Sequence, residues 1–269
     1  MRADQLLVVR HLASSRSQAQ RLIAGGLQWC KGQEWKSVSK NGDEIPVDAE
    51  LRLQDDSEAR YVSRGGLKLE AALKQVDLSV SGLTCLDVGQ STGGFTDCLL
   101  QHGAAAVVGV DVGSAQLHPR LRLDPRVLCI EHINARNLLA SDISSAVAMR
   151  PAIASDDAAV SVPQPSFVAE FDLIVSDLSF ISQTLVLPAL APLLGSGATL
   201  LSLVKPQFEL QPGQVGKGGI VKDAALYPLV EQRLRQACAA LGLTVKAWFD
   251  SPIAGGDGNH EFFICARKL

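Results

Sequence analysis

Two lysines and two carboxylates, Lys68, Asp177, Lys205 and Glu261, stand beside segments whose pattern predicts strand ends or the start of a larger domain. Asp177 follows the apolar run FDLIVS, Lys205 ends LLSLV, and Glu261 opens EFFICARK after a glycine-rich turn. Charged groups at strand carboxyl ends point into a ligand crevice. An alcohol such as a ribose 2′-hydroxyl holds its proton tightly, so making it a nucleophile requires a base placed against it. Lysine titrates at about 10.4 in water, and a second cation together with desolvation lowers that value and frees neutral amine. In a Lys-Asp-Lys-Glu cluster one lysine can act as base, the other can depress its pKa, and the carboxylates can orient both amines. The same residue types also form structural ion pairs, and spacing alone leaves both readings open.

A second constellation is the loop Asp87-Val88-Gly89-Gln90-Ser91-Thr92-Gly93-Gly94-Phe95, which follows a predicted strand and opens a predicted helix. Dinucleotide sites use G-x-G-x-x-G because the middle glycine lets the backbone approach a pyrophosphate. Here Ser91 takes that middle position, which suits a cofactor without phosphates. Asp111 closes the next strand, 22 residues after Gly89, where a carboxylate can accept hydrogen bonds from both hydroxyls of a ribose. S-adenosylmethionine matches these demands. A tight strand-to-helix turn alone would also explain the glycines, and it is the added Asp111 and the repeated β/α pattern that favour the nucleoside site.

The elements that must carry these residues are legible as short apolar runs alternating with helical patterns: LTCLDVG, AAVVGVDV, RVLCIE, FDLIVSDLSF, ATLLSLVK, LTVKAWFD and EFFICARK. That alternation predicts an α/β domain with a mainly parallel sheet covered by helices. The last two strands, separated only by a loop, are expected as an antiparallel pair at one edge. No charge lies between Asp177 and Lys205, a stretch long enough to span a bilayer. Pro188, Pro192 and Gly195-Ser196-Gly197 break it into a helix over 183–194, a turn, and a buried strand over 198–204. The N-terminal MRADQLLVVRHLASSR, interrupted by Asp4 and Arg10, does not read as a signal peptide.

The formal net charge of −3 averages unlike segments. Residues 1–40 hold seven basic and two acidic side chains, 41–58 one basic and seven acidic, and the remainder is nearly balanced. A small basic unit on a neutral body is the charge footprint of one module meeting a polyanion, although a solvated basic helix face gives the same count. Leu6, Leu7, Val9 and Leu12 suit an amphipathic helix, Ser14-Ser15 cap a second over about 16–24, and Gly25-Gly26 end it. Strands are expected at Leu27–Cys30 and Ile45–Leu53, with a turn at Lys31-Gly32. The string S-R-S-Q-A-Q-R-L-I-A-G-G-L resembles the small RNA-binding fold shared by a small-subunit ribosomal protein, tyrosyl-tRNA synthetases and many pseudouridine synthases. Arg2, Arg16, Arg21 and Lys31 are its candidate RNA contacts. The six cysteines form no CxxC pair and have no histidine at ligand spacing, so a cytoplasmic protein without a metal site is expected.

Together, Y-V-S-R-G-G-L-K-L at 61–69, the loop D-V-G-Q-S-T-G-G-F-T-D at 87–97, V-D-V-G at 110–113, S-D-L-S-F-I-S at 176–182, L-V-K-P-Q-F-E at 203–209 and G-N-H-E-F at 258–262 resemble the TlyA family nearly end to end. Its members are named either hemolysins or ribosomal RNA 2′-O-methyltransferases. The resemblance implies a Rossmann-like, FtsJ-like methyltransferase domain preceded by a small α+β RNA-binding domain, with S-adenosylmethionine as donor and cytidine in ribosomal RNA or ribosomal subunits as acceptor. It implies domains at 1–59 and 64–269, a linker at 60–63, and a tetrad of Lys68, Asp177, Lys205 and Glu261 with Lys205 as base. It also implies that Asp87, Gly89, Ser91, Thr92, Gly93, Gly94 and Phe95 surround the methionine end of the cofactor and Asp111 its ribose. Asn134 would meet the adenine edge, Phe180 would pack against the cofactor, and Arg64 would touch RNA. Gln90 stands where the family has alanine and Leu178 where it has valine, while the Ala-, Ser- and Pro-rich segment 141–170 reads as a flexible insertion.

Three other classes bear on the reading. A pore-forming hemolysin needs a membrane-spanning element, for which only the proline-broken stretch before Lys205 is available. A non-catalytic RNA-binding protein would not need all four tetrad positions. A pseudouridine synthase would leave the glycine loop unexplained and shows no catalytic aspartate motif.

Overall fold

Ser15 lies in extended backbone and its side chain accepts a hydrogen bond from Gln18 N, so helix α2 (Arg16–Ala24) starts where the sequence supplies a cap. In the structure, a computed structural model that describes residues 1–13, 15–32, 34–54, 60–149, 167, 169–253, 255 and 258–269, the chain divides into two units, Met1–Leu67 and Lys68–Leu269. In the first, α1 (Ala3–Val9) and α2 pack with an antiparallel sheet of β1 (Leu27–Cys30), β2 (Trp35–Ser37) and β3 (Glu50–Leu53) in the order β2-β1-β3. Leu6, Leu7, Ala19, Leu22, Leu27 and Ile45 form its core, while Val9 and Leu12 of the expected helix stripe are exposed.

Two local expectations change here. The strand expected from Ile45 begins only at Glu50, because Pro46 has no N–H to pair and the Arg10 guanidinium draws in the carbonyls of Val47 and Ala49. β2, too short to show a period, is an addition. The expected linker 60–63 belongs to the first unit, with Tyr61 and Val62 buried. The Tyr61 ring covers Gly66 so closely that a Cβ there would lie 2.3 Å from Tyr61 Cγ, and the division falls inside α3 (Gly65–Gln75).

The second unit is built on β4 (Thr84–Val88), β5 (Ala106–Val110), β6 (Val127–Ile130), β7 (Phe171–Asp177), β8 (Leu194–Val204), β9 (Leu243–Asp250) and β10 (Phe262–Lys268), ordered β6-β5-β4-β7-β8-β10-β9. The first five are parallel, and β10 runs antiparallel to both β8 and β9. The expected antiparallel pair is therefore present, with β10 inserted inside the sheet and β9 alone at the edge. Helices α4 (Gly94–Gln101), α5 (Pro119–Arg122), α6 (Ala140–Ala148), α7 (Gln183–Leu190), α8 (Pro206–Glu209) and α9 (Tyr227–Ala240) connect the strands. Leu86, Val108, Ile174 and Leu200 of the strands and Ile143 and Leu187 of the helices are fully buried in one cluster.

The uncharged stretch becomes α7, a 3₁₀ turn at Ala191–Leu193, and β8. Gly195-Ser196-Gly197, expected as a turn, lies inside β8 as a bulge: the register with β7 slips between Phe171 and Leu173, and Gly197 takes φ +73°, which glycine alone adopts freely. The start of the expected insertion is a packed helix, because Ile143 of α6 faces the core; residues 150–166 and 168 lie outside the described residues. No described helix is long and apolar enough to cross a membrane.

Candidate active site

Gly89, directly after β4, has φ +84°, and a Cβ on it would meet the carbonyl oxygen of Asp177 at 2.6 Å. Only glycine lets the loop pass this close to the end of β7. Gly93, at φ +93°, meets the same limit against Leu121 and Leu117. Ser91 N donates to Asp111 Oδ2 and Gly113 N to Asp111 Oδ1, both at 2.7 Å, so the carboxylate is fixed in direction while each oxygen keeps a lone pair.

Beside these groups opens a cavity of about 540 Å³, within the range of small-ligand sites. Gly89, Ser91, Asp111, Asn134 and Phe180 line it together with Asp177. Gln116, Ser179, Ile133 and Ile181, none of them assigned a role from the sequence, also line it, as does Leu178. Ser91 Oγ donates to Gln116 Oε1. A carboxylate with free lone pairs, an amide at Asn134 and apolar walls at Ile133, Leu178 and Ile181 are the donor set for a ribose diol and a purine-like ring.

The remaining loop residues act behind the cavity. Thr92, Gly93 and Gly94 shape the turn into α4, and Phe95 stacks on Phe263 in the core, ring centroids 6.5 Å apart, instead of facing a ligand. Asp87 is buried: Oδ2 accepts from Thr96 N at 2.9 Å and Thr96 Oγ1 at 2.7 Å, while Oδ1 has no partner. Burial pushes this carboxyl up to about 7, against the Thr96 hydrogen bonds that pull it down. Gln90 Nε2 donates to Thr96 Oγ1, and the Gln90 amide lies where a side chain on Gly109 would be, so glutamine is accommodated by that glycine.

Asp177 ends β7 and Lys205 follows β8. The antiparallel pairing of Phe262 with Val204 brings Glu261 beside Lys205 one step further on. Lys205 Nζ lies 2.6 Å from Asp177 Oδ1, an ion pair without hydrogen-bond alignment, and donates to Ser179 Oγ at 3.0 Å. Lys68, on α3, pairs with Glu261 Oε2 at side-chain exposures of 9% and 3%. The tetrad is thus two lysine–carboxylate pairs, one buried and one at the cavity wall.

The loop from β7 to α7 is tied to the residues after Lys205. Phe180, 91% exposed and at φ +65°, meets the Phe208 ring at 5.1 Å. The buried Glu209 carboxylate accepts from Ser182 Oγ at 2.6 Å and Gln183 N at 2.7 Å. Its desolvation raises the carboxyl, with these two hydrogen bonds pulling the other way.

Residues 61–268 match the FtsJ-like methyltransferase family. The chain belongs to that family. The 16S/23S rRNA (cytidine-2′-O)-methyltransferase TlyA of Mycobacterium tuberculosis is 41% identical over 269 residues, spanning 99% of this chain and 89% of its own. Hemolysin A of Brachyspira hyodysenteriae is 36% identical over 265 residues, 97% of this chain and 98% of its own. A solved structure of a hemolysin-named protein from Streptococcus thermophilus is 37% identical with a TM-score of 0.71, covering 100% of this chain and 88% of that one.

In this FtsJ-like methyltransferase the candidate RNA contacts are scattered over the small unit. Arg2 and Arg16, both substantially exposed, close on Asp4, whose side chain is inaccessible to solvent. Their hydrogen bonds, Arg2's first, hold the Asp4 carboxyl well below the usual range. Part of the expected RNA-facing charge is therefore committed to the fold. Lys31 pairs with Asp48 at 3.0 Å, Arg21 lies in the last turn of α2, and Arg64 is half-buried in the turn before α3. Among the described residues no cluster of His, Cys, Asp and Glu is placed to hold a metal.

Proposed function

We propose that this chain transfers a methyl group from S-adenosylmethionine to the ribose 2′-hydroxyl of cytidine in ribosomal RNA, with Lys205 as the base. The observation that carries this reading is the placement of Lys205 against Asp177 and Ser179, which line the same cavity as Gly89 and Asp111. Family membership supports the methyl donor, and the Mycobacterium tuberculosis relative, named for cytidine 2′-O-methylation of 16S and 23S rRNA, supports the acceptor.

Asp111 would hold the ribose hydroxyls, Asn134 the adenine edge, and the Gly89–Ser91 backbone the amino-acid end, with the unpartnered Asp87 Oδ1 buried behind the loop. Bound S-adenosylmethionine would supply an electrophilic methyl on a sulfonium, with the neutral thioether as leaving group. Lys205 in its neutral form accepts the hydroxyl proton, and Asp177 lies against the ammonium that results. The Lys68–Glu261 pair fixes the strand that lines up beside Lys205. The small unit, whose basic residues concentrate in positions 1–40, would hold ribosomal RNA, free or within assembled subunits. Six free thiols, five of them buried, suit the reducing cytoplasm.

Lys205→Ala should abolish tritiated methyl transfer to ribosomal RNA while S-adenosylmethionine binding by calorimetry stays within about twofold. Retained turnover in the folded variant would remove Lys205 as base.

A further inference from the structure

We propose that Ser179 is a positioning residue for the methyl-transfer step, its hydroxyl setting the direction in which the Lys205 amine presents its lone pair. The inference rests on Lys205 being the base. Lys205 Nζ has two contacts of different kinds: Asp177 Oδ1 at 2.6 Å without hydrogen-bond alignment, and Ser179 Oγ at 3.0 Å as a directed hydrogen bond. Coulomb attraction depends on separation, so Asp177 determines where the amine sits but not how its N–H bonds point. A hydrogen bond weakens steeply away from linearity, so Ser179 does fix a direction.

Stoichiometry gives this contact its consequence. A neutral lysine amine carries two N–H bonds and one lone pair, and a proton can be taken up only on the lone pair. With one N–H held by Ser179 Oγ, rotation about the Cε–Nζ bond is set, and the lone pair is confined to the two tetrahedral directions that remain. In the step itself the 2′-O–H bond breaks and an N–H bond forms on Lys205. Ser179 Oγ accepts from the same nitrogen before and after, and gives up no proton.

An exposed serine on a loose loop could not do this, but Ser179 is on a held one. Three residues on, Ser182 Oγ and Gln183 N donate to the buried Glu209 carboxylate, and between them Phe180 packs on Phe208. Phe208 N also donates to Lys205 O at 2.9 Å, so the segment bracing the loop begins at the base.

The test uses the full chain with tritiated S-adenosylmethionine and protein-free 16S and 23S rRNA, comparing Ser179→Ala, Ser179→Thr and Lys205→Ala. Ser179→Ala is expected to lower kcat about tenfold, with KM for RNA, cofactor Kd and Tm unchanged. Ser179→Thr, which keeps the hydroxyl, should recover most of the loss. A kcat of Ser179→Ala within twofold of wild type, or a threonine variant as slow as alanine, would each overturn the role of Ser179. Retained turnover in Lys205→Ala would instead overturn the base assignment, so the two failures are distinguishable.

Discussion

Replacing Asp87 with asparagine should change how stability depends on pH more than it changes stability at any one pH. The carboxyl is buried beneath the glycine loop and raised from the ordinary 3.8 to about 7, with desolvation the main cause. Because the folded state holds this proton more tightly than the unfolded chain, the contribution is fully present below about pH 4 and is lost as pH rises through 7. At about 1.4 kcal/mol per pKa unit, the complete loss is on the order of 4 kcal/mol, more than half of it between pH 5 and pH 8. Asparagine keeps an acceptor for Thr96 but cannot ionise, so the variant lacks that slope. Urea unfolding suits the test in a Trp29→Phe/Trp35→Phe background, where Trp248 on β9 remains the one indole and reports on the large unit. Between pH 5 and pH 8 the Asp87→Asn protein should gain about 2 to 3 kcal/mol on its parent. A difference independent of pH would refute the argument that burial keeps Asp87 protonated into the neutral range.

Removing one member of the buried Lys68–Glu261 pair strands a cation, so Glu261→Ala should cost about 3–5 kcal/mol in the same urea assay, and Lys68→Met/Glu261→Leu should recover much of it. Gly89→Ala places a Cβ against the Asp177 carbonyl at a left-handed φ; strain of about 1–2 kcal/mol there should weaken S-adenosylmethionine binding about tenfold by calorimetry, and unchanged affinity would detach the loop from the site. Arg21→Ala should reduce the slope of log affinity for ribosomal RNA against log salt by about 0.7–0.9, whereas Arg16→Ala should also lower thermal stability because it uncovers Asp4.

What could be read beforehand and what could not divide along physical lines. The five parallel strands of the large sheet were visible because strands covered on both faces are continuous apolar runs, and β9 and β10 because they too are mostly apolar, but β10's insertion beside β8 was not because pairing partners leave no local trace. α2 was legible to its ends through Ser15 and Gly25, the residues that cap and stop it. The bulge in β8 was mistaken for a turn because glycines at positive φ serve both purposes. α6 was hidden by an Ala- and Ser-rich composition in which Ile143 is the one fully buried residue. In the site, Gly89, Ser91 and Asp111 announce themselves by type and spacing, yet Phe95, adjacent in sequence, is core because a helix start turns successive side chains to different sides. Gln116 and Ser179 carried no signal: their partners lie 25 and 26 residues away, and each is an ordinary polar side chain until the fold brings it to the cavity. The association of Arg2 and Arg16 with Asp4 was equally invisible, since charge counts do not show which cations are already paired.

The most direct measurement is methyl transfer from tritiated S-adenosylmethionine to ribosomal subunits and their extracted RNA, followed by digestion to nucleosides and chromatography. The radioactivity should elute as 2′-O-methylcytidine and disappear with Lys205→Ala. Label in a base-methylated nucleoside, or label undiminished by Lys205→Ala, would contradict a lysine-based 2′-O-methyl transfer at this cavity.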